Sequence, residues 1–188
     1  MPRIYVALDL ETTGLNTTRD AIIEVGAVKF RDGEEVDSFS TLVDPGRPIP
    51  YEVTLLTGIT DRDVIGKPRF DQVAGPIMRF VGASPVVGHN VAFDLGFLRA
   101  QGLLAENAGL DTWELASVLL PSLPSYSLGS LARRFGLSTG NQHRALDDAR
   151  ATGQLLARLC EEIDRLPRAV LIEIIRLAQG SEIGRAHV

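Results

Sequence analysis

The stretch VALDLETTGL, residues 6–15, has the alternation of a strand and yet carries two acids, Asp9 and Glu11. Around it, Ile4, Val6, Leu8 and Leu10 fall on one side, and Tyr5, Ala7, Asp9 and Glu11 on the other. A strand over residues 3–11 therefore presents both acids on one face. Burying an unpaired carboxylate costs several kcal/mol, so the pair calls for a partner. Two positions apart on one strand face, the Cα atoms lie about 6 to 7 Å from each other. That is close enough to hold one hard cation. Carboxylate oxygens suit Mg²⁺ or Mn²⁺, and the sequence has no Cys or His cluster that would favour zinc. Taken alone, the pair reads as the solvated face of a strand.

Downstream, AIIEVGAVKF (21–30) and EVDSFSTLV (35–43) are β-rich and are joined by RDGEE, whose Asp-Gly is a hairpin signal. The first three strands are expected to form an antiparallel meander. DPGRPIP (44–50) is a loop by its Pro and Gly content, and YEVTLLTGITDRDV (51–64) reads as a short helix and turn. Phe70, Val73, Ile77, Phe80 and Val81 recur at the spacing of an amphipathic helix. SPVVGHN holds a short strand ending at Gly88, followed by a helix over about 92–101 and a strand near 108–111. Asp111, with Glu114 three residues on, marks another helix start. SLGSLARRFGL gives a short helix closed by Gly136. The longest helix spans about 145–165 with Leu146, Ala149, Leu155, Leu156, Leu159 and Ile163 inward; Pro167 breaks it before a last helix. Strands followed by strands alternating with helices predict an α/β fold, a mixed sheet with helices packed on it.

The 188 residues suit one domain, and 45% hydrophobic content is enough for a core. A net charge of −5 and a pI near 5.2 argue against broad wrapping of a nucleic-acid backbone, which needs many exposed Lys and Arg. A partner held at a small site is compatible with that charge. The single cysteine, Cys160, excludes a disulfide framework and reads as a core thiol in a reducing compartment. No apolar run approaches the roughly 18 residues of a membrane span. A soluble, cytoplasmic chain with no membrane partner is the expectation.

Two further acids extend the pattern. Asp94, in GHNVAFDLGFL, sits in the first turns of the helix after the short strand; on its own it reads as an acid favoured by the helix dipole. In HRALDDA (143–149), Asp147 and Asp148 are about 100° apart around the helix, so one of them points inward. Asp148 shares the side of Ala145 and Leu155 and is preferred, with Asp147 as the fallback. His143 alone would read as a surface or capping residue.

Together, Asp9-Leu-Glu11-Thr-Thr-Gly14, His89-Asn90-Val-Ala-Phe93-Asp94 and His143-Arg-Ala-Leu-Asp-Asp148 resemble, in order and roughly in spacing, the three motifs of the DnaQ-like (DEDDh) 3′→5′ exonucleases. That family includes the proofreading epsilon subunit of bacterial DNA polymerase III. The resemblance runs from residue 3 to about 164. It implies a ribonuclease H-like fold with a mixed five-stranded sheet, the antiparallel three-strand meander plus parallel strands. It also implies hydrolysis of DNA from its 3′ end to nucleoside 5′-monophosphates, with two Mg²⁺ or Mn²⁺ ions. By the resemblance Asp9 bridges both metals, Glu11 and Asp148 complete the site of the attacking water, Asp94 supports the second metal, and His143 is the general base. The family's separation of His and final Asp supports Asp148.

The same resemblance implies that Thr12, Thr13 and Gly14 hold the terminal nucleotide and its 3′ hydroxyl. Leu15 and Leu56 (in LLTGIT) would press on bases, and Asn90 and Phe93 would line the nucleotide pocket. Core packing is the competing role for both leucines. Arg133, Arg134, Arg144 and Arg150 read either as phosphate contacts or as solvated helix-face arginines. RNA as the substrate, or a binding module without catalysis, are the alternatives. The expected partners are a polymerase or a fused helicase, as in DinG-type proteins. Residues 1–166 are expected to form the exonuclease domain, 167–181 a connecting helix, and 182–188 a non-native tail, because IGRAHV is also encoded by a common sequencing adapter.

Overall fold

The chain is described by a computed structural model over residues 3–138, 140 and 143–180. Five strands, β1 (Ile4–Thr12), β2 (Ile22–Arg31), β3 (Glu34–Leu42), β4 (Val86–Gly88) and β5 (Gly109–Asp111), form one sheet in the order β3-β2-β1-β4-β5. The meander β1-β2-β3 is antiparallel, whereas β1-β4 and β4-β5 are parallel. The mixed sheet is the one expected. Asp32 and Gly33, with φ of 52° and 90°, make the hairpin turn, both in the left-handed region that an Asp-Gly pair tolerates.

Eight helices accompany the sheet among the described residues: α1 (Tyr51–Thr57), α2 (Asp61–Val64), α3 (Phe70–Val81), α4 (Val91–Ala100), α5 (Thr112–Leu119), α6 (Leu128–Phe135), α7 (Ala145–Asp164) and α8 (Arg168–Gly180). The segment 51–64 divides into two helices because Gly58, at φ 71°, closes the first. The tail proposed for 182–188 lies outside the described residues.

The alternation of β1 decides the layers. Val6, Leu8 and Leu10 pack with Val73, Ile77 and Val81 of α3 and Leu95 and Leu98 of α4. Tyr5 and Ala7 pack on the opposite face with Val28, Phe30 and, from α7, Ala149 and Leu156. Both faces of the central strand are therefore covered, and the acids lie on the α7 side. The Tyr5 hydroxyl donates to the carbonyl of Gly153 at 3.0 Å, and its ring stacks on Phe30 with centroids 5.1 Å apart. Cys160, half-buried, packs against this second cluster. No described helix is long and apolar enough to cross a membrane.

Candidate metal centre

Strand lengths create the site. β4 is three residues long and pairs with β1 at Val6 and Ala7, so β1 runs on past its neighbour. The Leu10 N–H is left without a strand partner there and donates instead to Asp94 Oδ1 at 3.0 Å. Asp94, on the first turn of α4, is 4% exposed. It reaches the end of β1 from one layer. From the other layer comes α7: one donor atom each of Glu11, His143 and Asp148 lie within 4.8 Å of one another. The acids thus converge at the C-terminal end of two parallel strands, where ligands bind in open α/β sheets.

Each helix start is fixed by specific bonds. Asp111, at the end of β5, accepts from Asn90 N (3.1 Å) and Val91 N (2.8 Å) at the start of α4 and from Trp113 N (2.8 Å) at the start of α5. One carboxylate therefore satisfies orphan donors of two helices. His89 bridges Thr112 Oγ1 at 2.9 Å and the Tyr126 carbonyl at 2.8 Å. Burial lowers its pKa, and the ring tethers β4 to α5 and the approach to α6. At α7, the His143 N–H donates to Asp148 Oδ2 at 2.9 Å, with His143 at φ 61°.

The electrostatics follow from crowding acids in a dry place. Burial, then the charges of Asp94, Glu11 and Asp148, hold Asp9 well above the usual carboxylate range. Burial, then Asp148, Glu24 and Asp94, raise Glu11 from 4.5 to about 8, with Arg144 opposing. Burial likewise raises Asp94 to about 8 against the pull of the Leu10 N–H. Asp148 is raised by burial too, opposed by the His143 N–H. Four hard oxygen donors that disfavour their own ionisation form a set that a divalent cation satisfies. The residues fit such an ion.

Asp147 turns aside and pairs with Arg150 Nη1 at 3.3 Å, so it is Asp148 that joins Glu11 and His143. Thr12 and Thr13 are buried: Thr12 Oγ1 donates to the Gly14 carbonyl at 2.6 Å, and Thr13 Oγ1 accepts from Ala21 N at 2.9 Å. Their hydroxyls shape the loop after β1. Leu15 and Leu56 are 85% and 56% exposed, so neither is a core residue. Asn90 is exposed in a left-handed conformation (φ 74°), and Phe93 is half-buried with its ring centroid 5.1 Å from that of Phe97. Of the four arginines, Arg144 is bound to Glu24 and Arg150 to Glu35. Arg133 lines a cleft of about 280 Å³ with Ser127, Leu128, Gly129, His143 and Asp148.

Glu24 belongs to none of the motifs legible in the sequence. Its signal was available: a lone acid in the middle of the apolar AIIEVGAVKF, in the strand expected beside β1. Glu24 is 2% exposed and stands directly opposite Glu11 in the β1-β2 ladder.

Comparison with known proteins identifies the family. The family model RNase_T, described as Exonuclease, matches residues 6–156. A DNA polymerase III PolC-type of Clostridium perfringens (strain 13 / Type A) is 47% identical over 168 residues, covering 85% of this chain and 12% of that protein. The chain thus spans about an eighth of that PolC-type relative. The DNA polymerase III subunit epsilon of Aquifex aeolicus (strain VF5) is 37% identical over 164 residues, covering 85% of this chain and 81% of the relative. Among solved structures, exonuclease X in complex with 5′ overhanging duplex DNA superposes with a TM-score of 0.72 at 30% identity, over 84% of this chain and 91% of the other.

Proposed function

The chain belongs to the RNase_T exonuclease family, and on that premise we propose that it hydrolyses DNA stepwise from the 3′ end to nucleoside 5′-monophosphates. The observation that carries this reading is the convergence of Asp9, Glu11, Asp94 and Asp148 with His143 at the end of β1. Supporting it, the relatives include polymerase III components, and a structural neighbour is bound to duplex DNA. A polymerase is the proposed partner. We assign residues 1–166 to the exonuclease unit and 167–181 to a connecting helix, in keeping with a family match that stops within α7.

The family is divalent-metal dependent, and we assign two Mg²⁺ or Mn²⁺ ions to Asp9, Glu11, Asp94 and Asp148. When bound, such ions neutralise phosphoryl charge and lower the pKa of a coordinated water. The protein groups do the rest. His143, exposed and beside Glu11 and Asp148, takes the proton of the attacking water. The His143 N–H bond to Asp148 orients that segment. Leu15 and Leu56, exposed apolar side chains, press on the terminal bases, while the Thr12–Gly14 backbone and the Asn90–Phe93 turn bound the nucleotide. Arg133, in the cleft beside His143, faces a phosphate.

Matched DNA and RNA oligonucleotides, each capped by an inverted nucleotide at either the 3′ or the 5′ end, test direction and substrate together. Degradation of 5′-capped DNA, with 3′-capped DNA intact, is expected. Attack on 3′-capped strands, or faster loss of the RNA, would overturn the direction or the substrate respectively.

A further inference from the structure

The buried carboxylate of Glu24 lies outside the four acids assigned to metal, and its environment is unlike theirs. It accepts from Arg144 Nη2 at 2.7 Å, from Arg144 Nε at 3.2 Å and from the Ala145 N–H at 3.0 Å. Its oxygens are already engaged and its charge is matched by a guanidinium, so it is a poor candidate for a cation ligand. Two residues on, and on the same face, Gly26 stands opposite Asp9 in the ladder. A Cβ built there would lie 2.1 Å from the Ala145 carbonyl carbon. The first turn of α7 therefore rests directly on β2, with Gly26 permitting the approach and Glu24 gripping the backbone.

We infer that Glu24 is a positioning residue for the reaction: through Arg144 and the Ala145 N–H it fixes the start of α7, and with it His143 and Asp148, against the acids of β1. The inference rests on the exonuclease reading. Packing alone does not account for the grip, because α7 is already held to the sheet by Ala149 and Leu156. A buried ion pair adds little stability but can fix register. Here the register that matters is that of residues 143–148, flanking the gripped pair. A base displaced by about 1 Å can lose some 100-fold in rate.

The test compares wild type, Glu24→Gln, Arg144→Gln, His143→Ala and the double variant Glu24→Gln/His143→Ala on one DNA oligonucleotide, with amide hydrogen exchange measured on each. Glu24→Gln and Arg144→Gln are each expected to lower kcat about 10- to 100-fold with KM little changed. The effect of Glu24→Gln should shrink in the His143→Ala background, since residues acting as a unit are non-additive. Exchange should accelerate at amides 145–149 while those of β1 stay protected. Unchanged kcat, full additivity, or a uniform loss of protection across the chain would each overturn the inference. Should Glu24→Gln fail to fold, Arg144→Gln, changed at a side chain 45% exposed, carries the same expectations. If wild type digests no nucleic acid, the functional reading fails, while the exchange pattern still decides whether the clamp holds α7.

Discussion

The backbone N–H of Leu10 donates to Asp94 Oδ1 at 3.0 Å, an interaction between the central strand and a helix more than eighty residues on. It makes one carboxylate both a backbone cap and a member of the acid cluster. These two roles separate by substitution. Asp94→Asn keeps an acceptor for Leu10 and is expected to fold with at least wild-type stability in chelator, while losing at least about 100-fold in activity. Asp94→Ala orphans the buried N–H and should cost a further 1 to 3 kcal/mol, roughly. Thermal melts alongside digestion rates check both; an active Asp94→Asn would remove that acid from the site.

The acid cluster sets a pH dependence of stability without metal. Glu11 and Asp94 titrate near 8 in the folded chain, against 4.5 and 3.8 for the ordinary groups. Between those limits the native state holds protons that the unfolded chain has released, so stability falls as pH rises through the window. Melts in chelator should show Tm declining from about pH 5 to pH 8. Added Mg²⁺ or Mn²⁺ should raise Tm more at pH 8 than at pH 5, because the ion favours the ionised form. A flat or rising profile in chelator would contradict the crowded-acid picture.

His143→Ala is expected to lower kcat by about 10² to 10⁴ while calorimetry still detects Mn²⁺ binding. The side chain is exposed, so stability should change little. Undiminished turnover would exclude His143 as the base.

Gly26→Ala should be far more damaging than an ordinary Gly-to-Ala change in a strand. The clash is with the helix backbone rather than with a flexible side chain. A loss of about 1 to 3 kcal/mol is expected from overpacking, together with loss of activity as the start of α7 lifts from Asp9 and Glu11. Chemical denaturation measures the first and digestion the second; a stable, active Gly26→Ala would show that α7 can sit higher without consequence.

Much of this architecture is legible in the chain itself. The period-two pattern of β1 locates both acids on one face, Asp-Gly at 32–33 marks the hairpin, and the geometry of a 100° step separates Asp148 from Asp147. What escapes is whatever depends on a partner distant in sequence. Glu24 meets Arg144 across 120 positions, and nothing in the local spacing of either announces the other. Arg144 and Arg150 resemble free helix-face cations until the strands carrying Glu24 and Glu35 are in place. For Leu15 and Leu56 the sequence leaves core packing open beside base contact, and only their exposure shows that the core closes without them.

The most direct measurement is digestion of a 5′-labelled DNA oligonucleotide by wild type and Asp9→Ala, with Mg²⁺, with Mn²⁺ and with chelator. A ladder shortening from the 3′ end that requires the cation and vanishes in the variant is expected. A ladder that persists in chelator or in Asp9→Ala, or no cleavage by folded wild-type protein that binds Mn²⁺, would contradict it.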